Sequence, residues 1–213
     1  MKHWTRIFRL SSILAVCMWP AASPAETVKI RNEKVVVLED RLAPGETRTL
    51  KGDFPSVVVY PGSGKVEISP TGGNVQNVLV RPGQTTFEAA QPRTVKNTGT
   101  GELTLVRVVF ITKGSPEMMG PEGLSPNYKL LFENAFTRTY EIKIPAGTNE
   151  PQHTHKDRVV ICLSGAQMEH LMPDGKREPS TLKTGEVAYR KGATHIGHNL
   201  GKTDLWVIAV EPK

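Results

Sequence analysis

Beyond residue 25 the chain never sustains an apolar pattern of helical period for more than a turn or two. Instead, short runs rich in Val, Ile, Thr and aromatic residues recur, each closed by Gly, Pro, Asn or Asp. Residues 34–39, 56–60, 64–69, 77–80 and 103–111 are such runs in the first half. Residues 128–133, 138–144, 159–163, 167–172, 186–190 and 205–210 follow in the second. Many short strands at regular spacing predict an all-β protein, either sandwich or barrel. The segment 112–127 carries three Pro and three Gly and reads as a linker. Met118 and Met119 within it either pack onto a neighbouring strand or belong to the loop.

The first 25 residues read differently. Lys2, Arg6 and Arg9 give a positive start, Leu10 to Trp19 is a short apolar stretch, and Ser23-Pro24-Ala25 offers small residues for cleavage. That is the pattern of a secretory signal, and the expected location is periplasmic or secreted. The apolar stretch is too short to span a bilayer as a helix, so no stable membrane insertion is expected after cleavage. The bland alternative is an uncleaved N-terminal anchor. Cleavage lowers the formal charge from +6 to +3, because three basic residues leave and no acidic one does. No dense Lys/Arg run with interleaved aromatics remains, so no nucleic-acid partner is expected. Only Cys162 survives, so no intramolecular disulfide can form, which suits an exported fold stable without staples.

Five of the six histidines fall between residues 153 and 198. One run is Gly147-Thr-Asn-Glu-Pro-Gln-His153-Thr-His155 and the other is Gly192-Ala-Thr-His195-Ile-Gly-His198-Asn199. Imidazole is a common ligand for transition metals, and His-x-His puts two rings on one face of a strand. His198 lies three residues from His195 and should face the other side, toward the surface. His170 is read in the same way. Cys162 shares the parity of Arg158 and Val160 and reads as a small core residue. Tyr189 and Trp206 read as wall aromatics, although a Tyr near a metal can act as a proton donor.

These runs resemble the two motifs of the cupin superfamily, which are small antiparallel β-barrels. Gly147, His153, His155 and Gly165 match the first motif. Gly185, Gly192, His195 and Asn199 match the second, which is one residue short and has Lys191 where a Pro roughly falls. The resemblance implies that His153, His155 and His195 bind one divalent metal. The family's Glu does not carry over, because its position falls on Arg158. Asp157 is adjacent, but a one-residue shift turns a strand side chain to the other face. The expected site therefore has at most three neutral ligands with a cation nearby, which weakens affinity for a dication. Neutral imidazoles suit Fe, Mn, Ni, Cu or Zn alike.

The two halves repeat each other. Ala43-Pro44-Gly45-x5-Lys51-Gly-Asp53 lies over Pro145-Ala146-Gly147-x5-His153-Thr-His155, and Gly83-x9-Arg93-x3-Asn97 lies over Gly185-x9-His195-x3-Asn199. The chain thus reads as a bicupin of two tandem antiparallel β-barrels. The divisions are a signal peptide at 1–25, an N-terminal barrel at 26–112, a linker at 113–127 and a C-terminal barrel at 128–213. In the first barrel Lys51, Asp53 and Arg93 take the three His positions. A salt bridge of Asp53 with Arg93 or Lys51 is expected to fill that former site, the sharper alternative being an anion pocket. The functional reading is an exported protein whose C-terminal barrel holds a divalent transition metal. As an enzyme it would be of dioxygenase or isomerase type, with Arg158 orienting a small acidic substrate. The alternative is a non-catalytic small-ligand-binding or structural protein with a vestigial site, its rings bonded to one another, to water and to Asp157. The resemblance adds a homodimer through exposed strands and sheet edges as an expected partner, beside the small-molecule ligand.

Overall fold

The computed structural model describes residues 26–120 and 124–213, so the secretory signal expected at 1–25 lies outside the described residues. The N-terminal unit runs β1 (Thr27–Arg31), β2 (Val35–Leu42), β3 (Thr47–Leu50), β4 (Ser56–Tyr60), β5 (Gly64–Pro70), β6 (Gln76–Val80), β7 (Gln84–Glu88), β8 (Arg93–Asn97) and β9 (Leu103–Phe110). The C-terminal unit runs β10 (Tyr128–Glu133), β11 (Thr137–Ile144), β12 (His153–His155), β13 (Arg158–Ser164), β14 (Ala166–Leu171), β15 (Arg177–Leu182), β16 (Val187–Arg190), β17 (Ala193–Asn199) and β18 (Leu205–Pro212). The first unit faces a five-stranded sheet, β1-β2-β9-β4-β7, with a four-stranded one, β3-β8-β5-β6. The second repeats this order, as β10-β11-β18-β13-β16 and β12-β17-β14-β15. The repeat read in the sequence is thus a repeat of topology.

Side-chain alternation explains the layering. On β4, Val58 and Tyr60 join a core inside the first unit, with Leu42, Val66 and Leu105. Val57 and Val59 point the other way, into a core shared with Val159, Ile161, Ile208 and Val210 of the second unit. On β13, Val160 and Cys162 turn inward to Ile142 and Val207, the side that parity assigned to Cys162. The two five-stranded sheets therefore pack back to back and are covered on both faces. This is why their strands read as continuous apolar runs rather than alternating ones. Phe136 stacks on Phe87 across the junction, with ring centroids 5.9 Å apart. The four-stranded sheets have one face toward water. Their strands, such as Thr47–Leu50 and Arg177–Leu182, are short and polar enough to escape a hydropathy reading.

The linker segment packs against the second unit. Met119 and Gly120 donate backbone N–H groups to Glu133, each at 2.7 Å, while Met118 stays exposed. Beyond residues 121–123, Ser125 is buried.

Asn97 and Asn199 are both fully buried and do the same work in each unit. The Asn199 amide donates to the carbonyls of Ile144 at 3.0 Å and Thr203 at 2.9 Å, and its Oδ1 accepts from Gly201 N–H at 3.0 Å. Asn97 makes the equivalent bonds to Leu42, Gly101 and Gly99. The Asn that closes the second motif therefore ties a turn to a strand end.

The expectation for the first unit's former site needs correction. Strand β3 ends at Leu50, which opposes Arg93. Lys51 and Asp53 lie beyond it, exposed, and Arg93 pairs with Glu88 instead. Ion pairs do fill the interior, but through other residues. Asp40 is fully buried between Arg48 at 3.2 Å and Arg107 at 2.9 Å, and Glu46 and Glu26 complete the network. Sequence alignment slipped because the second unit has one extra residue. Arg48 opposes Val95 just as Glu150 N–H bonds to the carbonyl of Gly197, yet His153, not Gln152, then opposes His195. The extra residue is a bulge at Pro151-Gln152. In space, Leu50 rather than Lys51 takes the place of His153.

Replacing Asn199 or Asn97 by Ala leaves one buried carbonyl, one part-buried carbonyl and one backbone N–H without these partners. Each substitution is expected to lower unfolding free energy by about 2–3 kcal/mol in denaturant titrations. A change within about 0.5 kcal/mol would show that these turns are not held by the amides.

Candidate metal centre

His153 and His155 on β12 and His195 on β17 are buried, and their rings converge. Ring centroids lie 4.6, 4.8 and 5.0 Å apart, and one nitrogen from each ring can be chosen so that all three lie within 4.8 Å of one another. The Nδ1 of His153 is 2.8 Å from the carbonyl oxygen of Pro151. A carbonyl can only accept, so Nδ1 carries the proton and the Nε2 lone pair is left free. The bulge residue thus also sets the ring's tautomer, a support typical of ligating histidines. The Nε2 atoms of His153 and His155 are 2.9 Å apart. Two ligands at right angles, roughly 2.1 Å from one ion, would be about 3.0 Å apart. Burial pushes His195 down to about 3, and neighbouring imidazoles and Arg158 add to the shift. Burial, with the Arg158 charge, also holds His153 and His155 below the usual imidazole range. All three rings are therefore neutral at ordinary pH and ready to ligate without shedding a proton.

Two further groups complete the centre. Tyr128, on β10, places its hydroxyl 3.1 Å from Nε2 of both His153 and His155. Burial raises its pKa well above the usual phenol value, so it remains a neutral hydroxyl. Glu150 is only 3% exposed, with Oε2 3.9 Å from Nε2 of His153. Its Oε1 accepts from the Ser125 hydroxyl at 3.3 Å. Burial pushes the carboxyl up to about 7, against smaller opposing effects of Ser125 and Arg158. Gly197 makes room for it, because a Cβ there would lie 2.6 Å from Oε2. In the first unit Arg48 and Val95 stand at these two places. On an unbroken strand Glu150 would face away from His153, three residues on. The bulge at Pro151-Gln152 brings them to the same side, so residue parity conceals Glu150 in the sequence.

The remaining predicted residues divide. Arg158 lines a cavity of about 330 Å³ together with Tyr128, Glu150, His155, His170 and His195. Among the described residues its buried Nε has no hydrogen-bond partner, and Nη1 donates to the Lys156 carbonyl at 3.4 Å. Asp157 turns away, as strand parity requires. It accepts from Gly192 N–H at 2.7 Å and from Tyr189 and Lys191, each at 3.0 Å, so the expected bond to the histidines is absent. His170 is not the surface residue expected of it. Its ring stacks on His195 at a centroid distance of 4.3 Å, because it shares the inward parity of buried Met168 on β14. His198 lies half-buried, opposing Glu169 across the strand pair. The tyrosine beside the rings is Tyr128, whereas Tyr189 packs at the junction between the units.

The donor set fits a divalent metal: three neutral ring nitrogens and a buried carboxyl group with no Lys or Arg partner among the described residues. Arg158 on the same wall opposes this by Coulomb repulsion.

No protein-family model and no curated protein matches the chain. Solved structures do. AerE from Microcystis aeruginosa superposes with a TM-score of 0.61 at 14% identity, over 89% of this chain and 98% of that one. A cupin 2 conserved barrel domain protein from Leptotrichia buccalis gives 0.59 at 15% identity, over 92% and 91%. The fold is the cupin fold. Oxalate decarboxylase from Bacillus subtilis is a further similar structure, with a TM-score of 0.58 at 15% identity, over 84% of this chain and 68% of that one. At these identities the likeness is one of architecture. Within that fold, this chain brings three histidines together, with Glu150 and Arg158 on the wall of the same cavity.

The raised Glu150 carboxyl has a measurable consequence in metal-free protein. Unfolded, the group ionises near 4.5, and folded near 7. Against the opposite slope of the buried histidines, this carboxyl contributes stability that is greatest below about pH 4.5, falls as pH rises toward about 7, and then levels, by on the order of 3 kcal/mol in all. Glu150→Gln should remove most of that slope in denaturant unfolding with chelator between about pH 5 and pH 8. Equal slopes in wild type and variant would show that the carboxyl is not buried as described.

Proposed function

We propose that this is an exported protein whose C-terminal unit binds one divalent transition metal through His153, His155 and His195, with Glu150 supplying the carboxylate. The observation that carries this reading is the convergence of three neutral imidazoles beside a buried carboxyl group that has no Lys or Arg partner among the described residues. Iron, manganese, nickel, copper and zinc all suit such nitrogen and oxygen donors. B. subtilis oxalate decarboxylase, a protein of similar fold, has Mn(II) centres. That supports manganese as one candidate. Export rests on the basic, apolar and small-residue order of residues 1–25. No dense Lys/Arg run with interleaved aromatics follows that segment, so no nucleic-acid partner is invoked. A homodimer through exposed sheet edges is part of the proposal.

The reaction class we favour is dioxygenase or isomerase chemistry on a small organic acid. When bound, the metal supplies Lewis acidity and open positions for ligands. The chain's own residues do the rest. Arg158 offers its Nε–H to a substrate carboxylate, a charge-assisted bond that fixes orientation. Tyr128 holds a proton at its hydroxyl within reach of the centre and can donate a hydrogen bond to charge developing there. Ile142, Val160 and Val207 exclude water from the cavity floor. A non-catalytic ligand-binding protein is the second reading. It is favoured by Arg158, which attracts an anion whether or not a metal is present.

Metal analysis tests the proposal. Protein stripped with chelator and reloaded should take up one equivalent of metal. His195→Ala should weaken binding by at least about 100-fold and Glu150→Gln by about 10-fold, in line with the loss on removing ligands or their supports. No stoichiometric metal under any loading, or equal affinity in wild type and His195→Ala, would contradict it.

A further inference from the structure

We infer that the ligand of the C-terminal cavity is a monocarboxylate with an extended apolar body, not a compact polar diacid. The inference rests on the reading that this cavity is the working site, but does not require a metal to be bound there.

The charge count points to a single negative group. Three cations line the cavity, Arg158, Arg190 and Lys191, together with two carboxyl groups, buried Glu150 and Glu178, the latter paired with Lys176 at 2.6 Å. Arg190 already pairs with Glu186 at 3.1 Å, and Lys191 with Asp157 at 3.0 Å. Arg158 makes no ion pair among the described residues, and its buried Nε lacks any partner. A guanidinium buried in this state is costly unless a ligand completes it. Its planar fork matches one carboxylate. A phosphate-sized dianion would find only this one uncommitted cation among the protein side chains that line the cavity.

The walls specify the rest of the molecule. Past Arg158 on β13 the next inward residue is Val160. Ile142 and Ile144 on β11, facing Val207 and Leu205 on β18, continue the apolar lining, with Met168 opposite on β14. All six belong to the buried core of this unit. The corresponding interior of the first unit holds Asp40 where this one has Ile142, and Arg107 where it has Ala209. The opening thus arises where ion-paired side chains are replaced by apolar ones. At about 330 Å³, the cavity reaches the size of ordinary small-molecule sites. A two-carbon diacid would leave most of the apolar wall uncovered and place a second charge against it.

The test is calorimetric titration of metal-free protein, in chelator, with acetate, butyrate, hexanoate, oxalate and neutral 1-hexanol. Affinity should rise roughly fourfold for each methylene that becomes buried, so that hexanoate binds on the order of 100-fold tighter than acetate. Oxalate should bind no better than acetate. Arg158→Gln should weaken hexanoate by at least about 10-fold while leaving 1-hexanol unchanged, with folding verified by thermal melting. Affinity that is flat along the series, or greatest for oxalate, would overturn the inference on wild-type protein alone. Undiminished hexanoate binding by folded Arg158→Gln would do the same. Because metal is excluded, a failed metal reading leaves the chain-length dependence intact. A failed ligand reading likewise leaves metal uptake intact.

Discussion

The extra residue at Pro151-Gln152 sets the direction of the side chains on which the centre depends. Before it, Glu150 bonds to Gly197 in the register that Arg48 and Val95 follow in the first unit. After it, the register has slipped by one, and His153 and His155 face inward against His195. A strand without the bulge could present Glu150 or the His pair to the interior, but not both. The same residue supplies the carbonyl that fixes the His153 tautomer at 2.8 Å. Ligand direction, ring protonation and access for the carboxylate therefore share one local cause.

The two units show what one scaffold does with opposite interiors. In the first, Asp40 is locked between Arg48 and Arg107, and buried pairs of this kind fill space without adding much stability. In the second, the same strands leave a cavity with apolar residues on one side and the histidines, Glu150 and one uncommitted guanidinium on the other. The first unit contributes to the second from behind. Its Val57, Val59, Val106 and Val108 cover the outer face of the sheet that carries Arg158, so that sheet is packed on both sides. A rigid backing holds the site residues in place, whereas loops would not.

Much of this was legible in the sequence. The apolar strands, the duplication, the His triad and the inward parity of Arg158 and Cys162 follow from spacing and composition, and the resemblance to cupin motifs named the architecture. What escaped did so for local physical reasons. The short polar strands of the outer sheets carry too little hydropathy to register. Glu150 was hidden because its parity is wrong until a bulge corrects it. The same slip misplaced Lys51 and Asp53 at ligand positions. His170 was read singly, although its parity with Met168 marked it as inward. Tyr128 comes from the first strand of the unit, distant in sequence from the motifs, and only the sheet order brings its hydroxyl to the rings.

The central claim is that the three imidazoles and Glu150 form one cation site. Anomalous diffraction from crystals grown with excess Mn²⁺ tests it most directly. The account predicts one strong peak, with ring nitrogens of His153, His155 and His195 and an oxygen of Glu150 at about 2.0–2.3 Å. A saturated crystal with no peak there, or with Glu150 turned away from a metal held by the histidines alone, would contradict it.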